Sequence, residues 1–227
     1  MKLEYIRNNH NLNIFTDASV KNKSRNIFDV CYGAVAVCND DIIDEVFRIN
    51  TNSTVNEGEA KGILYGLFLA LKYRERFKVI NIFSDSLISV NNINIGVYKW
   101  YSIDEQLCRT NGDPVVKNSS VYLQILDIIS RNNLRVNIYH IKGHINPNKQ
   151  KDLYKGITTF IKSNNILDRD WEFSFIKYLS KWNDYVDNKS RLILKVNNKK
   201  YVSPIKFVPN SNTGEMIQKY LILKEEY

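Results

Sequence analysis

Residues Phe28 to Cys38 set the strongest limit on what this chain can become. Val30, Tyr32, Ala34, Ala36 and Cys38 alternate with Cys31, Gly33, Val35 and Val37, so an extended strand here is apolar on both faces. Such a strand belongs in a sheet covered on both sides. Asn13-Ile14-Phe15-Thr16-Asp17 reads as the strand before it, Asn39-Asp40-Asp41 as a polar turn, and Ile42 to Asn50 as the returning strand of a three-stranded meander. Asn56 to Lys72 then carries Ile63, Leu64, Leu67, Phe68, Ala70 and Leu71 at helical spacing. Asn56 is its expected cap, and Glu57 and Glu59 fall in the first turn, where negative charge is favoured. Val79 to Phe83 predicts a strand, Ser84 to Val90 and Val121 to Ile129 helices, and Leu134 to Ile141 a fifth strand. The order implies an α/β fold with a mixed five-stranded sheet, three antiparallel strands then parallel ones, flanked by helices. No internal repeat is expected.

A chain of 227 residues suits one domain with appendages. Its formal net charge of +8 favours an anionic partner such as nucleic acid. Cys31, Cys38 and Cys108 form no paired motif, and the first two, seven apart on one strand, would face opposite sides. All three read as reduced thiols. The longest apolar run, Gly62 to Leu71, is too short to span a bilayer, and Met1 to Asn13 lacks an apolar signal core. A cytoplasmic monomer without membrane contact is expected.

Four acidic segments carry the chemistry: Phe15-Thr16-Asp17-Ala18-Ser19, Asn56-Glu57-Gly58-Glu59-Ala60, Ile82-Phe83-Ser84-Asp85-Ser86 and Asn183-Asp184-Tyr185-Val186-Asp187. Each puts an acid at a strand end or on a helix, where residues far apart in sequence can converge. Crowded carboxylates raise one another's pKa unless a divalent cation supplies compensating charge. Singly, Asp17 or Asp85 would fit a turn and Glu59 a helix start; their joint appearance argues for a metal-dependent phosphodiester chemistry.

These residues resemble the type-one ribonuclease H family, which cleaves RNA paired to DNA. Asn13 to Ser19 is similar to its first acidic motif, Tyr32-Gly33-Ala34 to its second strand, and Thr54 to Ala60 to the helix start that carries its Glu. Ile82 to Ser86, followed by Ile93 and Trp100, resembles its third acidic motif. Val115-Val116-Lys117-Asn118 is similar to the segment before its next helix, and Ile141-Lys142-Gly143-His144 to its histidine loop. Asn183 to Arg191 is similar to its closing Asn-x-x-x-Asp-x-x-small-Arg helix. In the family the histidine loop runs almost directly into that helix, whereas here the lysine-rich stretch 145–182 intervenes, so Asp152 competes with Asp187 for the fourth carboxylate. Asp187 is preferred because Asn183, Ser190 and Arg191 frame it. The family's basic protrusion is not obvious between Trp100 and Asn118.

The resemblance implies a ribonuclease H-like catalytic domain over 1–195, with 145–182 as a helical insertion and 196–227 as a basic C-terminal extension. It implies hydrolysis of the RNA strand of RNA/DNA hybrids, leaving 5′-phosphate and 3′-hydroxyl ends. Two Mg²⁺ ions roughly 4 Å apart, with Mn²⁺ as a substitute, would supply the nucleophile, charge relief and leaving-group stabilisation. Asp17 would bridge both ions, Asp187 would help hold one, and Glu59 and Asp85 the other. His144 would assist proton transfer or product departure. Ser19, Asn56, Asn118 and Lys142 are candidate substrate contacts, the first three through the backbone or 2′-hydroxyls of an RNA strand. A polymerase or reverse transcriptase is a candidate partner. The alternatives are a resolvase- or transposase-like DNA endonuclease of the same fold, and a non-catalytic nucleic-acid-binding module. His140 is expected to pack within the fold or on its surface, and a zinc site with His144 lacks further ligands nearby. Asp152 to Lys162 and Trp171 to Trp182 predict two short amphipathic helices, with Trp171, Phe173, Phe175 and Trp182 as the core of a small appendage. From Lys199 onward the chain is basic and strand-like around Tyr201 to Val208.

Overall fold

The computed structural model describes residues 2–24, 27–96, 101–103, 106–108, 118–167 and 170–196. The strand-like stretch expected around Tyr201 to Val208, Trp100, and 115–117 of the segment before the third helix lie outside them. Three antiparallel strands, β1 (Asn11–Ser24), β2 (Ile27–Cys38) and β3 (Asp41–Ser53), are followed by α1 (Val55–Tyr73), β4 (Val79–Ser84) and α2 (Leu87–Asn91). A short hairpin comes next, β5 (Tyr101–Ile103) with β6 (Gln106–Cys108), which the sequence did not suggest. Then come α3 (Ser119–Arg131), β7 (Asn137–His140), α4 (Gln150–Ser163) and α5 (Phe173–Val196). The main sheet has the order β3-β2-β1-β4-β7, antiparallel across β1 to β3 and parallel from β1 through β4 to β7. This is the ribonuclease H-like arrangement expected. Among the described residues, no helix is long and apolar enough to cross a membrane.

The two-faced apolarity of β2 is explained by the two layers. On one face Ile14, Ala34, Ala36 and Val46 pack against Ile63, Leu67 and Phe68 of α1 and Ile125 of α3. On the other, Phe15, Cys31, Val35 and Phe47 pack against Phe175, Leu179, Trp182 and Val186 of α5. Cys31 and Cys38 are both free thiols on opposite faces, as their spacing required.

Register in the parallel half is held by two cross-strand rungs. Asn13, Asn81 and Asn137 lie side by side, and their amides form a ladder at 3.0 and 3.1 Å. Two residues on, Phe15, Phe83 and Tyr139 stack with ring centroids 5.0 and 5.6 Å apart. Since a slip of one residue would send every side chain to the opposite face, these rungs fix which residues stand level in the next. The pairing of β1 with β4 ends at Thr16 and Ser84, and Asp17 and Asp85 follow directly. The chain thus repeats a short pattern, Asn13-Ile14-Phe15, Asn81-Ile82-Phe83 and Asn137-Ile138-Tyr139, although no repeat was expected.

Three local expectations are corrected. β1 does not end at Asp17: its hairpin pairing with β2 continues to Ser24, while its pairing with β4 stops at Thr16 opposite Ser84. The cap of α1 is Thr54, whose hydroxyl accepts from the Glu57 N–H at 3.2 Å, because β3 ends at Ser53 and Asn56 is already inside the helix. The helix after β4 begins at Leu87, capped by Ser86.

The largest correction concerns the C-terminal half. Trp171 to Trp182 is not a short appended helix. From Phe173 it belongs to the 24-residue α5, which runs unbroken through the acidic segment at 183–191. Phe175, Leu179, Trp182, Val186 and Ser190 form one buried stripe at helical spacing. Trp171 and Phe173, partly buried, pack on the same cluster. Tyr178 donates to the Asn39 carbonyl at 2.8 Å, Lys181 pairs with Asp40 at 3.0 Å, and Lys189 pairs with Glu45, fastening α5 to β2 and β3.

Candidate active site

Where β1 and β4 part company beyond Thr16 and Ser84, the acids meet. Asp17 and Asp85 emerge from neighbouring strands, and Glu59 comes from the second turn of α1. One carboxylate oxygen from each lies within 4.8 Å of the others. Close approach of α1 to the sheet makes this possible. A Cβ on Gly58 would stand 2.4 Å from Val30 Cγ1 and 3.0 Å from Ala18 Cβ, so any larger residue would lift the first turns, and Glu59 with them, off β1.

Asp187 approaches from the other layer. It lies about 100° round α5 from Val186, in line with Ile176, Ser180 and Asn183 on the buried flank of that stripe, so the packing of α5 also sets Asp187 toward the end of β1. Its Oδ1 accepts from the Ser19 hydroxyl at 3.0 Å and its Oδ2 pairs with Arg191 at 2.7 Å. One turn earlier, Asn183 donates to Asp85 Oδ2 at 3.4 Å. The expected substrate contact Ser19 is therefore occupied with Asp187 and buried. Asp152, the competing acid, sits on α4 in an exposed pairing with Lys155 at 3.9 Å and does not line the cleft.

The histidine loop closes a third side. His144 adopts a left-handed backbone conformation, φ 53°, and is exposed at the cleft edge. Gly143 beside it is pressed so closely to Asp85 that a Cβ would fall 2.3 Å from Asp85 Oδ2. On α5, Ser180 donates to the Ile145 carbonyl at 3.2 Å and holds the loop's far side. His140 bonds Ser163 at 2.9 Å through Nδ1, and its burial lowers its pKa; it packs inside the fold, as expected. Asn118 stands before α3 with φ 66°, Asn56 is exposed on α1, and Lys142 is exposed on the loop. None of these three lines the cleft, a space of about 620 Å³ bounded by Asp17, Ser19, Glu59, Asp85, His144 and Asp187.

The electrostatics ask for positive charge. Burial, then Asp85 and Asp187, hold the Asp17 carboxyl well above the usual range. Burial, then Asp17 and Asp85, do the same to Glu59. Asp85 is raised chiefly by burial, with Asn183 and His144 opposing. Glu59 Oε2 and Asn183 Oδ1 are buried without a hydrogen-bond partner. Orphaned oxygens in a mutually repelling carboxylate set are what a hard divalent cation would satisfy, so the residues present fit such an ion.

Sequence reasoning missed Lys21 and Lys195, which also line this cleft, as does Arg191, quoted above only for its motif. The signal was available: Arg191 and Lys195 follow Asp187 at intervals of four, which places all three on one helix face.

Fold and site together define an α/β protein of ribonuclease H-like architecture with a cation-ready acidic cleft. The RNase H family profile matches residues 9–155, more than half of the chain, and the chain belongs to that family. The match stops before α5, so Asp187 lies beyond it. Among solved structures, LC11-RNase H1 isolated from compost by a metagenomic approach is 14% identical with a TM-score of 0.44, over 69% of this chain and 96% of that one. The foamy viral protease-reverse transcriptase in complex with RNA/DNA hybrid is 16% identical with a TM-score of 0.50, over 82% of this chain and 21% of that one. The PFV RNase H domain is 18% identical with a TM-score of 0.49, over 78% of this chain and 96% of that one. No curated protein matches the chain.

Proposed function

We propose that this chain is a metal-dependent endonuclease that hydrolyses the RNA strand of RNA/DNA hybrids. The observation that carries the reading is the convergence of Asp17, Glu59 and Asp85 from two strands and a helix into one cluster. Membership of the RNase H family supports the substrate class. Asp17, Glu59, Asp85 and Asp187 would hold divalent ions, Mg²⁺ with Mn²⁺ as a substitute. When bound, such ions supply a nucleophile at neutral pH, charge relief on the phosphate and stabilisation of the leaving oxygen.

The chain's own residues do the rest. Asn183 steadies Asp85, and Ser19 and Arg191 orient Asp187. His144, exposed at the cleft edge, would hand a proton to the departing 3′-oxygen or help product leave. A water oxygen joins phosphorus as the P–O3′ bond breaks, leaving a 3′-hydroxyl upstream and a 5′-phosphate downstream. Asn56, Asn118 and Lys142 remain candidate contacts further along the substrate. We assign the catalytic unit to 1–195 and a basic extension to 196–227.

The test is cleavage of end-labelled RNA/DNA hybrid, RNA duplex and DNA duplex with Mg²⁺, Mn²⁺ or chelator, for wild type and Asp17→Asn. The expected result is metal-dependent cutting confined to the hybrid's RNA strand and abolished by the substitution. Cutting of DNA alone would favour the resolvase-like reading, and hybrid binding without cleavage the binding module.

A further inference from the structure

The acidic floor of the cleft has a basic wall on one side. β1 runs past Asp17 to Lys21, and α5 runs past Asp187 to Arg191 and Lys195; all three cations line the same space as the four acids. Arg191 is committed to Asp187. Lys21 and Lys195 are exposed, and among the described residues neither forms a salt bridge, although Asp29 stands opposite Lys21 across β1 and β2. A nucleic acid lying over four carboxylates is repelled by them unless cations stand nearby, because its own charge is spread evenly along the backbone. Along the α5 axis, Arg191 and Lys195 rise about 6 and 12 Å beyond Asp187, comparable to the separation of successive phosphates on one strand. The basic cluster that is not obvious in the sequence between Trp100 and Asn118 therefore has a counterpart in Lys21, Arg191 and Lys195.

We propose that Lys21 and Lys195 form a phosphate clamp that grips the strand being cut, on the α5 side of the cleavage point. This rests on the nuclease reading above. The clamp positions the strand without reading sequence, since lysine ammonium groups on phosphates carry no base information. It holds the backbone against the acidic floor, and Arg191, tied to Asp187, bridges floor and wall.

The test compares wild type, the double variant Lys21→Gln/Lys195→Gln, and the control Lys78→Gln/Lys177→Gln, which removes the same charge at positions that do not line the cleft. Hybrid cleavage is measured for KM and kcat across a salt series, and hybrid binding by fluorescence anisotropy in chelator. The clamp variant is expected to raise KM and the Kd in chelator about fivefold or more at low salt, with kcat within about twofold of wild type. Its salt dependence should be shallower by about 0.7–0.9 per lost contact in log–log slope, and the control should match wild type. The clamp is overturned if the double variant keeps the wild-type KM, Kd and slope, or if the control shifts them equally. Should wild type cut no hybrid at all, the nuclease reading fails by itself; the anisotropy series still decides whether these lysines hold nucleic acid.

Discussion

Replacing Asp17 by Asn should stabilise the metal-free protein, an unusual sign for a change to a buried polar residue. The ligand oxygens of Asp17, Glu59 and Asp85 lie within 4.8 Å of one another. Two full charges at that separation repel by roughly 3.5 kcal/mol at an effective dielectric constant of about 20. The cluster relieves part of this by retaining protons, so the net gain from removing one charge is smaller, about 2 kcal/mol at pH 8. Little is lost in return, because the carbonyl of the substituted amide side chain can still accept from the Ala18 N–H that now bonds Asp17 Oδ1 at 2.7 Å. All three acids have folded-state pKa values above their unfolded values. Their stabilising contribution is therefore complete below about pH 4 and is lost as pH rises through the folded values. The advantage of Asp17→Asn should vanish in acid and grow toward pH 8. Urea denaturation in chelator, repeated across that range, reads it directly. With Mg²⁺ the order should reverse: the wild type gains about 2.7 kcal/mol at a hundredfold excess over its Kd, and the variant gains almost nothing. A wild type that outlasts Asp17→Asn in chelator at pH 8 and ignores Mg²⁺ would refute the argument.

Gly143→Ala should lower kcat/KM tenfold or more while moving Tm only a few degrees, since the added Cβ meets Asp85 Oδ2 at 2.3 Å and must push apart the loop and the acid; cleavage and melting assays on one preparation would check this. Asp187→Asn should weaken Mg²⁺ binding by calorimetry and cut activity severely. Asp152→Asn, which breaks only the exposed pairing with Lys155, should leave both near wild type, and the reverse pattern would move the fourth ligand to α4. Asn81→Leu should cost about 1–3 kcal/mol of stability, because it leaves the buried Asn13 Oδ1 without its donor, while the exposed Asn137 amide can turn to water; urea midpoints would measure it, and an unchanged midpoint would show that the ladder does not hold the register.

The parts of the molecule that were legible in the sequence are those whose pattern and partner lie in the same short segment. β2 announced two covering layers through its own alternation, and Asp17 and Asp85 follow nearly identical segments, Asn-Ile-Phe-Thr and Asn-Ile-Phe-Ser. The cap of α1 was misplaced by two residues because Thr54 and Asn56 are both competent, and the choice depends on where β3 releases the chain, a tertiary matter. The early end assigned to β1 has a similar origin: whether a strand continues depends on its partner, and β2 keeps pairing after β4 stops.

The misreading of α5 shows most clearly how the site is built. Aromatic residues dominate its first half and the acidic motif its second, and Lys177, Lys181 and Lys189 between the apolar positions conceal that one stripe runs through both. Lys181 and Lys189 lie off that stripe and pair with Asp40 and Glu45. Phase along this helix, rather than sequence distance from the histidine loop, decides where Asp187 points. Trp182 and Val186 must face the sheet to be buried, and at about 100° per residue Asp187 then lies on the flank of that face, in line with buried Ile176, Ser180 and Asn183. The 145–182 stretch can therefore separate His144 from Asp187 without disturbing either. The loop is held by Gly143 against Asp85 and by Ser180 at Ile145, while Asp187 is held by the packing of its own helix.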